Sequence, residues 1–394
     1  MRWCVVVPLV AACGGGDAGR HWGGAVDTLP GGAIRVTNPS EGMWRDDAAW
    51  RLVSTLVIGE AEGAEATTFA AVSGLLVDEG GRIYILDRQA NELRIFAPDG
   101  TLLRSVGRSG GGPGEYRNAN GLVWLAPDTL VVVDQRGDRY TMLTREGEYV
   151  RSVARALGFF GWVFSGAIHD GRIYEQYYAG TDPDWRPVLL GTALRGDSTA
   201  AMGKDTVWLP ARSAPIYEGF SIRTARGGMG MSVPFAPGLV YHVDRAGGIW
   251  FGHGSAFHVF RAAFTGDTIM EVLLEATPAP VAPAELAAWE AGAAVKRFRE
   301  MGGRIDMDRI PKAKPFFEGL TVDPAGYLWV TVPAGPMEIG FRVFDPEGRY
   351  LGRLGVSGIE PDRYVPPVVR DGRVYLVGRD AVDVQRVHVF TIVR

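Results

Sequence analysis

The sequence predicts an all-β fold, a six-bladed β-propeller of four-stranded antiparallel blades, and three observations carry that expectation. A turn-plus-strand motif recurs six times, an acidic-Gly turn follows most copies, and the chain ends one strand short of a complete last unit. Composition agrees: 46% hydrophobic residues suffice for a full core, and 54 Gly with 24 Pro suit many short strands joined by tight turns.

The first motif is a turn followed by an alternating β-branched and aromatic run, the signature of a hairpin. Its copies begin at Gly80-Gly81-Arg82-Ile83-Tyr84, Ala126-Pro127-Asp128-Thr129-Leu130 and Asp170-Gly171-Arg172-Ile173-Tyr174. They continue with Ala246-Gly247-Gly248-Ile249-Trp250, Ala325-Gly326-Tyr327-Leu328-Trp329 and Asp371-Gly372-Arg373-Val374-Tyr375. The second turns are Pro98-Asp99-Gly100, Arg145-Glu146-Gly147, Arg195-Gly196-Asp197, Thr265-Gly266-Asp267 and Pro346-Glu347-Gly348. Gly relieves the positive φ these turns need, and the acidic residue caps free backbone donors. Each unit is therefore four antiparallel strands. Such a unit cannot bury both faces alone, so the units stack radially.

Units one and two align at a spacing of 47, pairing Gly74 with Gly121, Asp87 with Asp134 and Gly100 with Gly147. The sixth unit finishes at Arg394 with a third strand and no fourth. An unpaired outer edge invites aggregation. Residues 50–58, WRLVSTLVI, have strand character and are expected to complete that blade and close the ring.

Two long gaps between units hold insertions. Residues 283–301 read as one helix, started by Pro283 and stopped by Gly302-Gly303, with Leu286, Trp289, Val295, Phe298 and Met301 on a face packed against the propeller. Residues 203–236 are irregular and Gly-rich, notably RTARGGMGM at 223–231. Either insertion suits a lid at the mouth of the central channel.

At the N-terminus, Arg2 precedes an apolar stretch from Trp3 to Ala12, too short to span a bilayer but suited to a signal peptide. Val10-Ala11-Ala12-Cys13 resembles the bacterial lipobox, which implies cleavage before Cys13 and acylation of its side chain. The expected organisation is a leader at 1–12, a flexible Gly-rich tether at 13–48, and the propeller at 49–394. The product is an exported lipoprotein of the cell envelope, on its periplasmic or outer-membrane face. Its contact with the membrane is through the lipid anchor.

The repeats resemble those of six-bladed propeller lipoproteins with NHL-like repeats. The resemblance rests on Val77-Asp78 with Gly81-Arg82-Ile83-Tyr84, on Asp87 with Arg94-Ile95-Phe96, and on the linker from Gly107 to Tyr116. It spans residues 48–394, clearest in units one, two, five and six. It implies the architecture and no single activity.

Net charge of −4 with scattered Lys and Arg offers no basic face for nucleic acid. Cys4 and Cys13 are the sole cysteines, so the propeller has neither a disulfide nor a thiolate metal site. The glycines of 107–114 read as a crossover between blades, because Pro113 interrupts them and a strand follows. Asp87 and Asp134, in a column shared with Tyr177, His253, Val332 and Gly378, are expected to accept turn amides.

The candidate binding site is the channel mouth. Ser73-Gly74, Asn120-Gly121 and Glu318-Gly319 form a column of polar residue then Gly at the start of innermost strands, with the polar side chain expected to face the lumen. Propeller lactonases bind calcium there through such oxygens, and Ser73, Asn120 and Glu318 resemble that set. Calcium wants six to eight oxygens, however, and here only one is a carboxylate group. A second candidate metal group is His242, His253 and His258 within one unit. No nucleophile elbow, His-Glu-x-x-His or dinucleotide fingerprint occurs. The sequence thus reads first as a non-catalytic binding module for a small molecule, peptide or protein. The alternatives are a calcium-dependent hydrolase or lactonase and a lyase with a histidine-bound metal.

Overall fold

In the computed structural model the described residues are 21–45, 49–63, 67–155, 167–179, 186–194, 206–208, 219–224 and 227–394. Six sheets stand around one axis. Blade 1 runs through Val72–Val77, Ile83–Asp87, Glu92–Phe96 and Leu102–Val106, and blade 2 through Ala119–Leu125, Thr129–Asp134, Arg139–Thr144 and Tyr149–Ala154. Blade 3 comprises Ala167–His169, Arg172–Ala179, Arg186–Ala193 and Thr206–Trp208. Blade 4 comprises Leu239–Val243, Ile249–His253, His258–Ala262 and Thr268–Leu274. Blade 5 follows with Gly319–Val322, Leu328–Val332, Glu338–Phe344 and Tyr350–Ser357. Each innermost strand touches the innermost strand of the next blade, and that of blade 6 touches blade 1, so the ring is complete.

Blade 6 is closed as expected. Its strands Val368–Arg370, Arg373–Arg379 and Gln385–Val393 are joined on the outside by Arg51–Ile58, antiparallel to the last, with Val53 opposite Thr391 and Ile58 opposite Val387. Gln385 then ties blade 6 to blade 1, its Oε1 accepting the Val72 amide at 2.8 Å.

The hydrophobic core is a set of interfaces between blades, because each sheet buries both faces. Phe96, Val377 and Val389 pack between blades 6 and 1, Tyr84, Leu122 and Leu143 between 1 and 2, and Val133, Tyr140 and Ile173 between 2 and 3. Leu189, Phe251 and Phe260 fill the join of 3 and 4, Phe257, Phe317 and Phe344 that of 4 and 5, and Trp329, Phe341 and Phe390 that of 5 and 6.

The repeated turn has a specific chemistry. Asp78 Oδ1 accepts the amides of Gly80 and Arg82 at 2.8 and 2.9 Å, while its Oδ2 accepts the Tyr84 hydroxyl at 3.0 Å. Asp244 serves Gly248 and Trp250 in the same way, and Asp323 serves Ala325, Tyr327 and Trp329. One carboxylate therefore closes the turn and also holds the indole or phenol six residues on. That aromatic ring then packs into a join between blades.

Two expectations need correcting. Residues 13–48 were expected to form a flexible tether, yet the described part of that stretch is docked. Ala25–Thr28 pairs with Ile34–Asn38, which runs parallel to Thr268–Leu274 and extends blade 4 to six strands. The chain continues across blade 5, where the Met43 and Trp44 amides donate to Tyr350 and Leu351 carbonyls at 3.2 and 2.7 Å. Residues 25–45 are thus a belt along the outer rim. Cys13 and the leader lie outside the described residues, as does the turn at Arg195-Gly196-Asp197.

The helical insertion is two helices, α1 (Pro283–Ala291) and α2 (Ala293–Glu300), because Gly292 takes an extended conformation between them. Leu286, Trp289 and Phe298 of their apolar face do not pack among the described blade residues. That face packs against an antiparallel hairpin, Phe220–Thr224 with Gly227–Met231, so that Phe220, Val233, Phe298 and Ile310 form a separate small core bordered by Leu286 and Trp289. The two insertions make one cap.

Candidate functional site

Chain direction assigns the features to the two ends of the channel. Innermost strands start at one face, which also carries every connection from an outermost strand to the next blade. We call this the crossover face. The turns between first and second strands lie at the opposite face. The cap belongs to the crossover face: its hairpin sits on the connection from blade 3 to blade 4, its helices on that from blade 4 to blade 5.

On this face Asp87 and Asp134 act as staples. Asp87 accepts the amides of Ala70 and Ala71, in the incoming connection, and of Gln89 and Ala90, in the next turn, at 2.9–3.3 Å. Asp134 repeats this with Arg117, Asn118 and Gly137. Both are buried, and this is the turn-amide role expected of them. The glycine-rich connection is equally self-contained. Glu115 Oε2 accepts the Gly111 and Gly112 amides at 3.0 and 2.8 Å, and Arg108 pairs with its other oxygen at 2.7 Å. The chain's own carboxylate fills the amide nest that a phosphate would need.

The predicted column of Ser73, Asn120 and Glu318 divides. Pairing in blades 1 and 2 shifts register between Val72 and Gly74 and between Ala119 and Gly121, so Ser73 and Asn120 are the extra residues of β-bulges. The bulge turns each side chain into the ring wall rather than the lumen. Ser73 Oγ donates to the Ala119 carbonyl of blade 2 at 2.8 Å, and Asn120 Nδ2 donates to Gln135 Oε1. Both are buried. Gly74 is required here, since a Cβ would stand 2.6 Å from Leu122 Cβ on the next blade.

Glu318 differs. It has no bulge, its amide donates to the Thr331 carbonyl at 2.9 Å, and its side chain is exposed at the mouth. Protein enclosing that mouth pushes its carboxyl above the ordinary value, with Arg363 and Lys314 opposing and Glu285 adding to the rise. Lys314 is itself held by Glu285 Oε1 at 2.5 Å and the Ala334 carbonyl at 3.0 Å, which links α1 to blade 5. The mouth between blades 4, 5 and 6 is therefore a mixed-charge rim under the cap. A calcium ion does not fit Ser73, Asn120 and Glu318: two of the three are committed to the ring wall, and the third lies in the field of two cations.

Nor do the histidines converge. His258 Nε2 lies 3.2 Å from Glu271 on the outer half of blade 4, and His253 Nδ1 lies 2.8 Å from Ser255 in a turn. His242 stands on the innermost strand opposite Trp250, its pKa pulled down to about 4 by burial, with Asp244 opposing. Among the described residues no three His, Cys, Asp or Glu side chains are grouped as a metal site.

The other end of the channel holds a feature that the sequence reading missed. Glu79, in the first turn of blade 1, pairs with Arg245 of blade 4 at 3.4 Å and with Arg370 of blade 6 at 3.6 Å. Blades 1 and 4 are opposite in a six-membered ring, so this ion pair crosses the axis. Its signal was present: Glu79 and Arg245 occupy the same slot, directly after the turn aspartates Asp78 and Asp244, three units apart. The channel is bridged at this end, which is the end opposite the cap.

Residues 65–138 match the DUF5128 family, described as a 6-bladed beta-propeller. Among solved structures, a member of the DUF4221 family from Bacteroides vulgatus superposes with a TM-score of 0.52 at 11% identity, covering 88% of this chain and 99% of its own. Virginiamycin B lyase from Staphylococcus aureus (TM-score 0.43, 11% identity, 88% and 100% covered) and regucalcin from Agrobacterium tumefaciens (0.40, 10%, 90% and 95%) are more distant. No curated protein matches the sequence. At these identities the likeness concerns fold alone. This chain is a six-bladed β-propeller.

Proposed function

We propose that the chain is an exported, lipid-anchored binding module that takes a ligand or protein at the crossover face, under the cap. The observation that carries the reading is the cap itself. Two insertions from separate connections fold on one another around Phe220 and Phe298 at the rim that holds Glu318, Lys314 and Arg363. Long insertions on a rigid scaffold serve recognition more often than stability. Export and anchoring rest on the apolar leader and the lipobox-like Val10-Ala11-Ala12-Cys13.

The rival is a metal-dependent hydrolase or lyase in the axial channel. Elemental analysis of purified protein after dialysis against metal-free buffer separates the two readings. The binding module predicts no stoichiometric calcium or zinc. A metal bound one to one and lost in Glu318→Gln or His242→Gln would replace it with the enzyme. For the anchor, Cys13→Ser should move the protein from the membrane fraction to the soluble one, and unchanged membrane association would remove that part of the proposal.

A further inference from the structure

We propose that the cleft between the outer strands of blades 1 and 2 takes an extended segment of a partner polypeptide, added as a strand to the free edge of blade 1. The ring itself supplies the precedent. At the diametrically opposite join, between blades 4 and 5, the belt strand Ile34–Asn38 runs parallel to the outer edge of blade 4, with Val36 opposite Val272. Val36 is fully buried there. Asn38 follows two residues later and bonds to both blades. Its Nδ2 donates to the Leu273 carbonyl of blade 4 and the Gly348 carbonyl of blade 5, both at 3.0 Å, and its Oδ1 accepts the Tyr350 amide at 2.7 Å.

The join of blades 1 and 2 repeats these positions without a belt. The acidic-Gly turns align Gly100 with Gly266 and Gly147 with Gly348. Val106 then stands in the place of Val272, Gly107 in that of Leu273 and Tyr149 in that of Tyr350. A cleft of about 350 Å³ lies where the belt strand would run, and its walls include Arg104, Val106, Gly107, Gly147, Glu148 and Tyr149. Among the described residues no side chain bonds to the Gly107 or Gly147 carbonyl or to the Tyr149 amide. Exposure marks the difference: Tyr350 is 2% exposed under the belt, Tyr149 43% without one. Leu102–Val106 is also the outermost strand of its sheet, and such an edge offers its backbone groups to any strand that fits.

The shared geometry states the chemistry of the guest. A β-branched residue opposite Val106 fills the cleft, and an Asn two residues on bonds to the Gly107 and Gly147 carbonyls and the Tyr149 amide. One charge differs. Arg35 of the belt pairs with Glu271 at 2.9 Å, whereas Ser105 stands at the Glu271 position, so the guest needs no cation there.

The test uses the purified full chain and, as probe, a synthetic peptide of residues 32–40, GAIRVTNPS, which carries the belt's own signature. Amide exchange should slow at residues 102–107 and at 149 as the peptide is added. With Asn38→Ala the peptide should need about tenfold more or higher concentration for the same protection, since it forfeits the Asn38 hydrogen bonds. With Arg35→Ala it should bind almost unchanged. In the chain, Val106→Trp fills the cleft and should weaken the peptide by about tenfold or more. The peptide variants leave the chain untouched and decide the matter if Val106→Trp unfolds the blade. Protection confined to residues 268–274, where the peptide has merely replaced the belt, overturns the proposal, as does protection nowhere. Protection of residues 102–107 before peptide is added overturns it too: the cleft then belongs to another part of this chain, or to a second copy if the protection fades on dilution.

Discussion

Glu79 and Arg245 meet at 3.4 Å across the axis of the ring, although 166 residues and half the circumference separate them. Both side chains are largely exposed, 73% and 57%, so water and salt screen the pair. A double-mutant cycle with Glu79→Gln and Arg245→Gln should give a coupling of about 0.2–1 kcal/mol at low salt that fades at high salt. Amide exchange in the turn at residues 78–82 should rise in the variants. Coupling of several kcal/mol, or none at low salt, would contradict this geometry.

Asp87 is a different case. It is buried and accepts four amides from two segments. Asp87→Ala strands those donors, and denaturant unfolding should show a loss of about 2–4 kcal/mol. Asp99, in an exposed turn, offers the control: Asp99→Ala should cost far less.

Acid sensitivity follows from imidazoles that the protein encloses. Burial lowers the His242 pKa from 6.5 to about 4, and burial also lowers His253 and His388. The unfolded chain therefore takes up these protons first as pH falls. Their contribution to stability is whole above about 6.5 and is lost as pH falls below it, for His242 down to about 4. Glu318, raised in the folded state, works in the opposite sense and is relieved as its carboxyl protonates. Urea midpoints should fall from pH 7.5 to pH 5. His242→Gln should remove part of that slope, on the order of 2 kcal/mol over the full range. An unchanged slope would show that His242 titrates normally.

The cap has its own core and should come apart without the ring. Phe298 is fully buried there, and a Cβ on Gly303 would lie 2.3 Å from its ring. Phe298→Ala should expose residues 283–301 to limited proteolysis and change Trp289 fluorescence, while the main thermal transition moves by only a few degrees. Loss of the whole cooperative transition would make the cap part of the ring.

The ring was legible because its information is local. Turn aspartates, glycines and alternating runs recur within each unit, and the missing fourth strand of blade 6 pointed to residues 51–58. The belt was not legible. Ala25–Thr28 and Ile34–Asn38 are short, flanked by Gly and Pro, and one pairs parallel to a strand more than 230 residues away. No periodicity announces that. Ser73 and Asn120 misled because a polar residue before Gly fits a lumen position and a bulge equally well; only pairing register separates the two. The cap required knowing that two connections leave the same face of adjacent joins, and the ion pair across the axis required counting blades to find the opposite one.

Everything depends on the ring being closed by its first and last strands. Val53 lies directly opposite Thr391 in that pairing, and Val53 faces solvent. A chain lacking Cys4 and Cys13 and carrying Val53→Cys with Thr391→Cys should form an intramolecular disulfide on mild oxidation. Its thermal midpoint should rise by several degrees and return to the parental value on reduction. If the two thiols stay free under oxidation, or pair only between molecules, the N-terminal strand does not lie against the last one and the closed ring is wrong.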